Sequence, residues 1–269
     1  MFPAGPSLEP WDASQAECLW ARPSAAYVLP RDEVHVWRAK LNWPAECIAQ
    51  WYQALSLDER ERADRFHFPA DRTRHIIGRA VSKILIAPGL GVTAADITFE
   101  FGARGKPYLA SDPCKSSLKF NISHSGDYVV VALAYGRELG VDVERIRTDF
   151  DPDGIAERFF SKRERLNLAA LPASAKHDAF FACWTRKEAY VKARGDGLNL
   201  PLEEFDVAFL PGQEARLLET RHDPAESCRW TLRNLDVGEM HKAAIAVEGS
   251  CVRLNCWEWI GELPRRSRS

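Results

Sequence analysis

The chain has 269 residues, 46% of them hydrophobic and 28% charged, and its 36 Lys and Arg almost balance 38 Asp and Glu for a net charge of −2. A chain of this length buries most of its unfolded surface without a metal or disulfide staple, and forms one large domain or two of ordinary size. Balanced charge argues against a dedicated nucleic-acid binder, and no apolar run nears the roughly 20 residues that span a bilayer, so neither nucleic acid nor membrane is an expected partner.

Residues 1–30 are rich in Pro, Ala and Ser and are expected to run as an irregular surface strap. Glu9, Asp12 and Glu17 interrupt this stretch, which therefore does not read as a signal peptide. Val34-His35-Val36-Trp37 alternates like a short strand. Ser56-Leu57-Asp58-Glu59 fits a capping box, in which Ser caps the third backbone N–H and Glu reaches back to the cap. A helix is predicted over 76–86, with strands over 97–101 and 128–134.

The second half repeats that order. Val141-Asp142-Val143-Glu144-Arg145 parallels the stretch from Val34, 107 residues earlier, and Ser161-Lys162-Arg163-Glu164 is a second capping box at an offset of 105. A long helix is predicted over 178–194, followed by strands over 205–209 and 242–247. Strand–helix–strand order is common in itself, but five elements recurring at offsets of 105 to 114 predict two similar halves, 1–138 and 139–269, joined near 136–140. The seven cysteines form no CxxC pair and read as reduced residues of a cytoplasmic protein.

Strand alternation sends Asp142 and Glu144 to one face and Val141 and Val143 to the other. Two carboxylates on one face repel unless cations offset them, and their oxygens suit a hard ion such as Mg²⁺; a solvated polar face is the alternative. On the long helix, Phe180, Phe181, Trp184 and Val191 form an apolar stripe into which Glu188 falls, with Lys192 at its edge and Lys187 on the other flank. A carboxylate there needs a partner, either one of those lysines or a metal shared with Asp142 and Glu144. At offsets of 107 and 105, Asp142, Glu144 and Glu188 map onto His35, Trp37 and Lys83, so one acidic cluster is expected and not two. The first half instead offers Arg72, Arg74, Arg79 and Lys83, charge suited to phosphates.

Between these lie Gly102-Ala103-Arg104-Gly105-Lys106-Pro107, a turn presenting Lys106, and Asn121-Ile122-Ser123-His124-Ser125-Gly126. The second reads as a loop able to hold phosphate through backbone N–H groups, Ser123 and His124, or as a structural turn. Ser–His nucleophilic catalysis lacks a third orienting group.

Gly140-Val141-Asp142-Val143-Glu144 and Trp184-Thr185-Arg186-Lys187-Glu188-Ala189-Tyr190-Val191-Lys192 together resemble the paired signature of the 4′-phosphopantetheinyl transferases, G-[VI]-D-x-E and W-x-x-K-E-A-x-x-K. Gly105-Lys106-Pro107 and Asn121-Ile122-Ser123-His124-Ser125-Gly126 match two further blocks of the surfactin-synthetase-activating branch, in the same order, so the resemblance runs from about Ser56 to Leu200. It implies an α+β monomer, a pseudo-dimer of two halves that each pack a small antiparallel sheet on a long helix, with coenzyme A in the cleft between them. It implies transfer of the phosphopantetheine arm to a serine of an apo acyl or peptidyl carrier protein, releasing adenosine 3′,5′-bisphosphate. Carried over by motif position, Asp142, Glu144 and Glu188 would hold Mg²⁺ (or Mn²⁺) against the pyrophosphate. Glu188 would also take the serine proton and Lys192 would contact the phosphate. Lys106, Pro107, Ser123, His124 and Arg74 would hold the nucleotide. Rival readings are a metal-dependent nuclease or phosphohydrolase and a non-catalytic coenzyme A or carrier-binding module.

Overall fold

The computed structural model describes residues 19–23, 27–102, 106–110, 117–195, 200–250 and 252–261. The first half runs β1 (Glu33–Lys40), α1 (Ala45–Gln53), α2 (Leu57–Asp64), α3 (Pro69–Leu90), β2 (Phe99–Phe101), β3 (Pro107–Leu109), β4 (Leu118–Ser125) and β5 (Tyr128–Tyr135). The second runs β6 (Leu139–Arg145), α4 (Pro152–Phe159), α5 (Lys162–Ala169), α6 (Ala173–Arg194), β7 (Phe205–Val207), β8 (Leu217–Thr220), α7 (Glu226–Arg229), β9 (Trp230–Leu235) and β10 (His241–Glu248). A last strand, β11 (Arg253–Glu258), follows. Among the described residues no helix is long and apolar enough to cross a membrane.

The internal repeat is real at the level of topology. Antiparallel order β1-β5-β4 in one sheet matches β6-β10-β9 in the other, and each half adds a two-stranded hairpin, β2-β3 or β7-β8. Both predicted capping boxes form: the Ser56 side chain accepts from Glu59 N–H and starts α2, and the Ser161 side chain accepts from Glu164 N–H and starts α5. α3 and α6 each have 22 residues. The symmetry breaks at β11, which crosses back and pairs parallel with β1 of the first half.

Strand β5 is apolar throughout because both of its faces are buried. Val129, Val131 and Leu133 pack with Trp37, Ile77 and Val81 under α3. Val130, Ala132 and Ala134 face the opposite way, against Val141, Val143 and Ile245 of the second sheet. A third cluster gathers α6 residues Phe180, Phe181 and Tyr190 with Phe205 and Leu232. The two halves therefore share a core through their sheets, each with its long helix on the outer side.

Several expectations change. The helices start earlier than predicted, at Pro69 and Ala173, because polar first turns hide the apolar period. The segment from Asn121 to Ser125 is not a loop: it completes β4 and pairs with β5. The turn proper is at Gly126, whose φ of +54° is glycine-friendly. The two long helices are offset by 104 residues, not 105, so Lys83 corresponds to Lys187 and not to Glu188. Cys256 is disulfide-bonded, so not all seven cysteines are reduced; among the described residues Cys47, Cys183 and Cys228 are free. Most of the predicted strap and Ala103-Arg104-Gly105 also lie outside the described residues. The part of the strap that is described adds Ala21 beside Trp257 of β11.

Candidate active site

The close seating of α6 on β6 begins with Gly140. Any Cβ at this position would collide with the backbone of Ala189 and Ala193, so only glycine lets the helix lie this near the strand. That approach brings Lys192 to Asp142. Lys192 Nζ stands 2.6 Å from Asp142 Oδ1, and donates to Ser123 Oγ at 3.0 Å and Val141 O at 3.3 Å. Asp142 is buried, and its second oxygen, Oδ2, is buried without a partner among the described residues.

As alternation predicts, Glu144 shares the face of Asp142, and its Oε2 accepts from Ser125 Oγ at 2.8 Å. Glu188 enters from α6. It does not lie on the packed face as the apolar stripe suggested: Trp184, Glu188 and Lys192, spaced four apart, line the half-exposed side that faces the cleft. Nor does Lys187 pair with it, because Lys187 is fully buried and bound to Glu164 at 2.7 Å.

The electrostatics show a site short of positive charge. Burial pushes the Glu188 carboxyl above the usual carboxylate range; the negative charges of Asp142 and Glu144 add to this and Lys192 opposes it. Burial likewise raises Glu144, with the Asp142 charge next, against the Ser125 hydrogen bond and Lys192. Among the described residues, three carboxylates face the Lys192 ammonium and Asp142 Oδ2 has no donor. This all-oxygen set fits a hard divalent cation. The three are not drawn together on one point, however: among the described residues no group of three or more His, Cys, Asp or Glu is close enough to hold a metal.

Two adjoining cavities meet here. The smaller, of ≈ 340 Å³, is lined by Ser123, His124, Asp142, Glu144, Glu188 and Lys192 among others. The larger, of ≈ 740 Å³, shares Ile122, Trp184, Glu188 and Lys192 with it and extends past Lys106, Pro107 and Asn121 to Phe159 and Leu202. Residues from both halves thus face one cleft. Lys106 Nζ donates to Leu139 O (3.4 Å) and Ala193 O (3.3 Å), at the C-terminal end of α6, and burial holds its pKa low despite Glu138. The exposed His124 is held below the usual histidine pKa by its packed surroundings, then by the charges of Lys192 and Arg74.

The three arginines of α3 have different partners. Arg74 pairs with Asp71 at 2.5 Å and acts electrostatically on His124. Arg72 is turned to Asp64 at 3.0 Å, and Arg79 stacks on Phe99 and Phe101. Sequence reasoning missed Asn121, Arg158 and Phe159 as cavity residues. For Asn121 the signal was available, since it precedes Ser123 at the period of a strand.

A family model described as 4′-phosphopantetheinyl transferase, N-terminal, matches residues 42–135, and one described as the 4′-phosphopantetheinyl transferase superfamily matches 138–247. The 4′-phosphopantetheinyl transferase HetI of a Nostoc species is 37% identical over 240 residues, 89% of this chain and 98% of that protein. The chain belongs to the 4′-phosphopantetheinyl transferase superfamily. A Bacillus subtilis 4′-phosphopantetheinyl transferase is 33% identical over 193 residues, 71% of this chain and 81% of the relative. The mouse L-aminoadipate-semialdehyde dehydrogenase-phosphopantetheinyl transferase is 30% identical over 217 residues, 74% of this chain and 70% of the relative. The two family models meet between β5 and β6, where one half of the phosphopantetheinyl transferase fold gives way to the other.

Proposed function

We propose that this transferase moves the 4′-phosphopantetheine arm of coenzyme A to a serine of an apo acyl or peptidyl carrier protein, acting as a cytoplasmic monomer. The observation that carries the reading is the Lys192–Asp142–Ser123 contact at the meeting of the two cavities, flanked by Glu144 and Glu188. The halves 1–138 and 139–269 supply different parts of one site. Lys106, Pro107, His124 and Arg74 hold the nucleotide from the first, and the carboxylates and Lys192 act from the second.

Asp142, Glu144 and Glu188, drawing closer together than they stand here, would hold a divalent cation, Mg²⁺ or Mn²⁺, which when bound would neutralise the diphosphate. The carrier serine oxygen forms a bond to the phosphorus that bears pantetheine, and the bond from that phosphorus to the diphosphate bridging oxygen breaks. Adenosine 3′,5′-bisphosphate departs. The serine proton passes to Glu188, the carboxylate that α6 presents to the cleft. Lys192, freed from Asp142, stabilises the charge on the transferring phosphoryl group.

The test incubates the chain with coenzyme A, Mg²⁺ and several apo carriers and weighs the carriers by mass spectrometry. A phosphopantetheine mass gain is expected. No gain on any carrier, with cleavage of DNA or RNA, would identify a nuclease instead; coenzyme A binding with no gain and no cleavage would leave a binding module.

A further inference from the structure

Strand β4 runs beside β6 but belongs to a different sheet. Three alternate side chains of β4 close the gap. Asn121 Oδ1 accepts from Val141 N–H at 2.9 Å, Ser123 Oγ from Val143 N–H at 3.3 Å, and Ser125 Oγ from Arg145 N–H at 3.1 Å. The steps are two residues on each strand, so the rungs follow the pleat of both. In an ordinary sheet backbone carbonyls would fill these places, and a carbonyl has nothing to donate. A hydroxyl does. At both serines the O–H reaches the β6 carboxylate just before the rung: Ser123 Oγ donates to Asp142 Oδ1 at 3.0 Å, and Ser125 Oγ donates to Glu144 Oε2 at 2.8 Å.

We propose that Ser123 and Ser125 are positioning residues that set the carboxylates of Asp142 and Glu144 across the junction between the two halves. The inference rests on the metal-assisted function proposed above, and it gives Ser123 a framework role beside any contact with the nucleotide. The Ser123 O–H is on Asp142, and the hydroxyl accepts from Val143 N–H and Lys192 Nζ. In each carboxylate the serine takes one oxygen. The other is the oxygen offered to a cation, and of these Asp142 Oδ2 is buried with no partner among the described residues. Because each rung also fixes a β6 backbone N–H, a shift of one half on the other would turn both carboxylates together.

Ser125 is the residue to change, since Ser123 also carries Lys192. Mn²⁺ affinity would be measured by calorimetry on the full chain without substrates, for wild type, Ser125→Ala and Ser125→Thr, beside melting temperatures and transfer kinetics. Loss of an outer hydrogen bond to a metal ligand weakens metal binding roughly 10- to 100-fold, so Ser125→Ala should lose at least about tenfold in Mn²⁺ affinity. Ser125→Thr, which keeps the hydroxyl, should restore it, and KM for the carrier should stay unchanged in both. Wild-type affinity in Ser125→Ala, equal loss in Ala and Thr, or no Mn²⁺ binding by the wild-type chain would each overturn the proposal. If Ser125→Ala does not fold, Ser125→Cys, a weaker donor of similar size, takes its place with the same expected loss. Wild-type chain that binds Mn²⁺ but transfers nothing would sink the functional reading alone; wild-type transfer with undiminished Mn²⁺ binding in Ser125→Ala would sink this one alone.

Discussion

Lys187 Nζ stands 2.7 Å from Glu164, and in the other half the equivalent Lys83 Nζ stands 2.6 Å from Glu59. Both glutamates close capping boxes, at the third position of their helices. Each box therefore starts a short helix and also anchors the long helix that follows. Glu164 is fully engaged: Oε2 accepts from Ser161 N–H and Lys187, and Oε1 accepts from Val207 N–H. Lys187 and Glu188 are neighbours in sequence but lie about 100° apart on the helix, so one enters the core and the other the cleft.

The buried pair yields the first prediction. Glu164→Gln or Lys187→Met leaves one buried charge uncompensated and should cost about 3–5 kcal/mol of unfolding free energy. Urea denaturation measures it. Activity per folded molecule should hold, and a rate loss in fully folded protein would give Lys187 a chemical role.

Gly140→Ala should be disproportionately harmful for a single methyl. The methyl meets helix backbone and not a movable side chain, so α6 must shift. A loss of at least about 1–3 kcal/mol is expected. Transfer should fall further than stability explains, because Lys192 leaves Asp142, and rate and melting temperature measured on the same sample decide it.

Asp142→Ala should nearly abolish transfer, by about 100-fold or more if the lost charge stabilisation is a few kcal/mol. Lys192 is half-exposed, so losing its partner should move the melting temperature little. Wild-type rate at saturating Mg²⁺ would remove Asp142 from the metal site.

Glu188 supplies a pH test. Its pKa is raised in the fold, so its contribution to stability is full below the ordinary carboxylate pKa and is lost as pH rises through the raised value. Without divalent cations, Glu188→Gln should therefore melt above wild type at neutral pH, with the difference gone below about pH 4. An identical pH dependence of melting in both proteins would contradict the assignment of burial and charge at this residue.

Much of this protein was legible locally. The capping boxes, the alternation in Val141-Asp142-Val143-Glu144 and the apolar stretch of β5 obey hydrogen-bond rules and side-chain periods that act within a few residues, and the repeat multiplied them. The motif blocks named the cleft residues before the cleft was seen. Asn121 to Ser125 was misread as a loop because Asn, Ser and His are turn formers in isolation; here, β5 on one side and the side-chain rungs to β6 on the other make the segment a strand.

What only the tertiary structure decided is which charges meet. Glu188 had two lysines within helical reach, yet Lys187 went to Glu164 and Lys192 to Asp142, 50 residues away. β11 returned to pair with β1, and Cys256 entered a disulfide. Composition and spacing can place a carboxylate on a face, because that is set by backbone geometry. Its partner depends on how closely two elements pack, and here that distance is set by the missing side chain of Gly140.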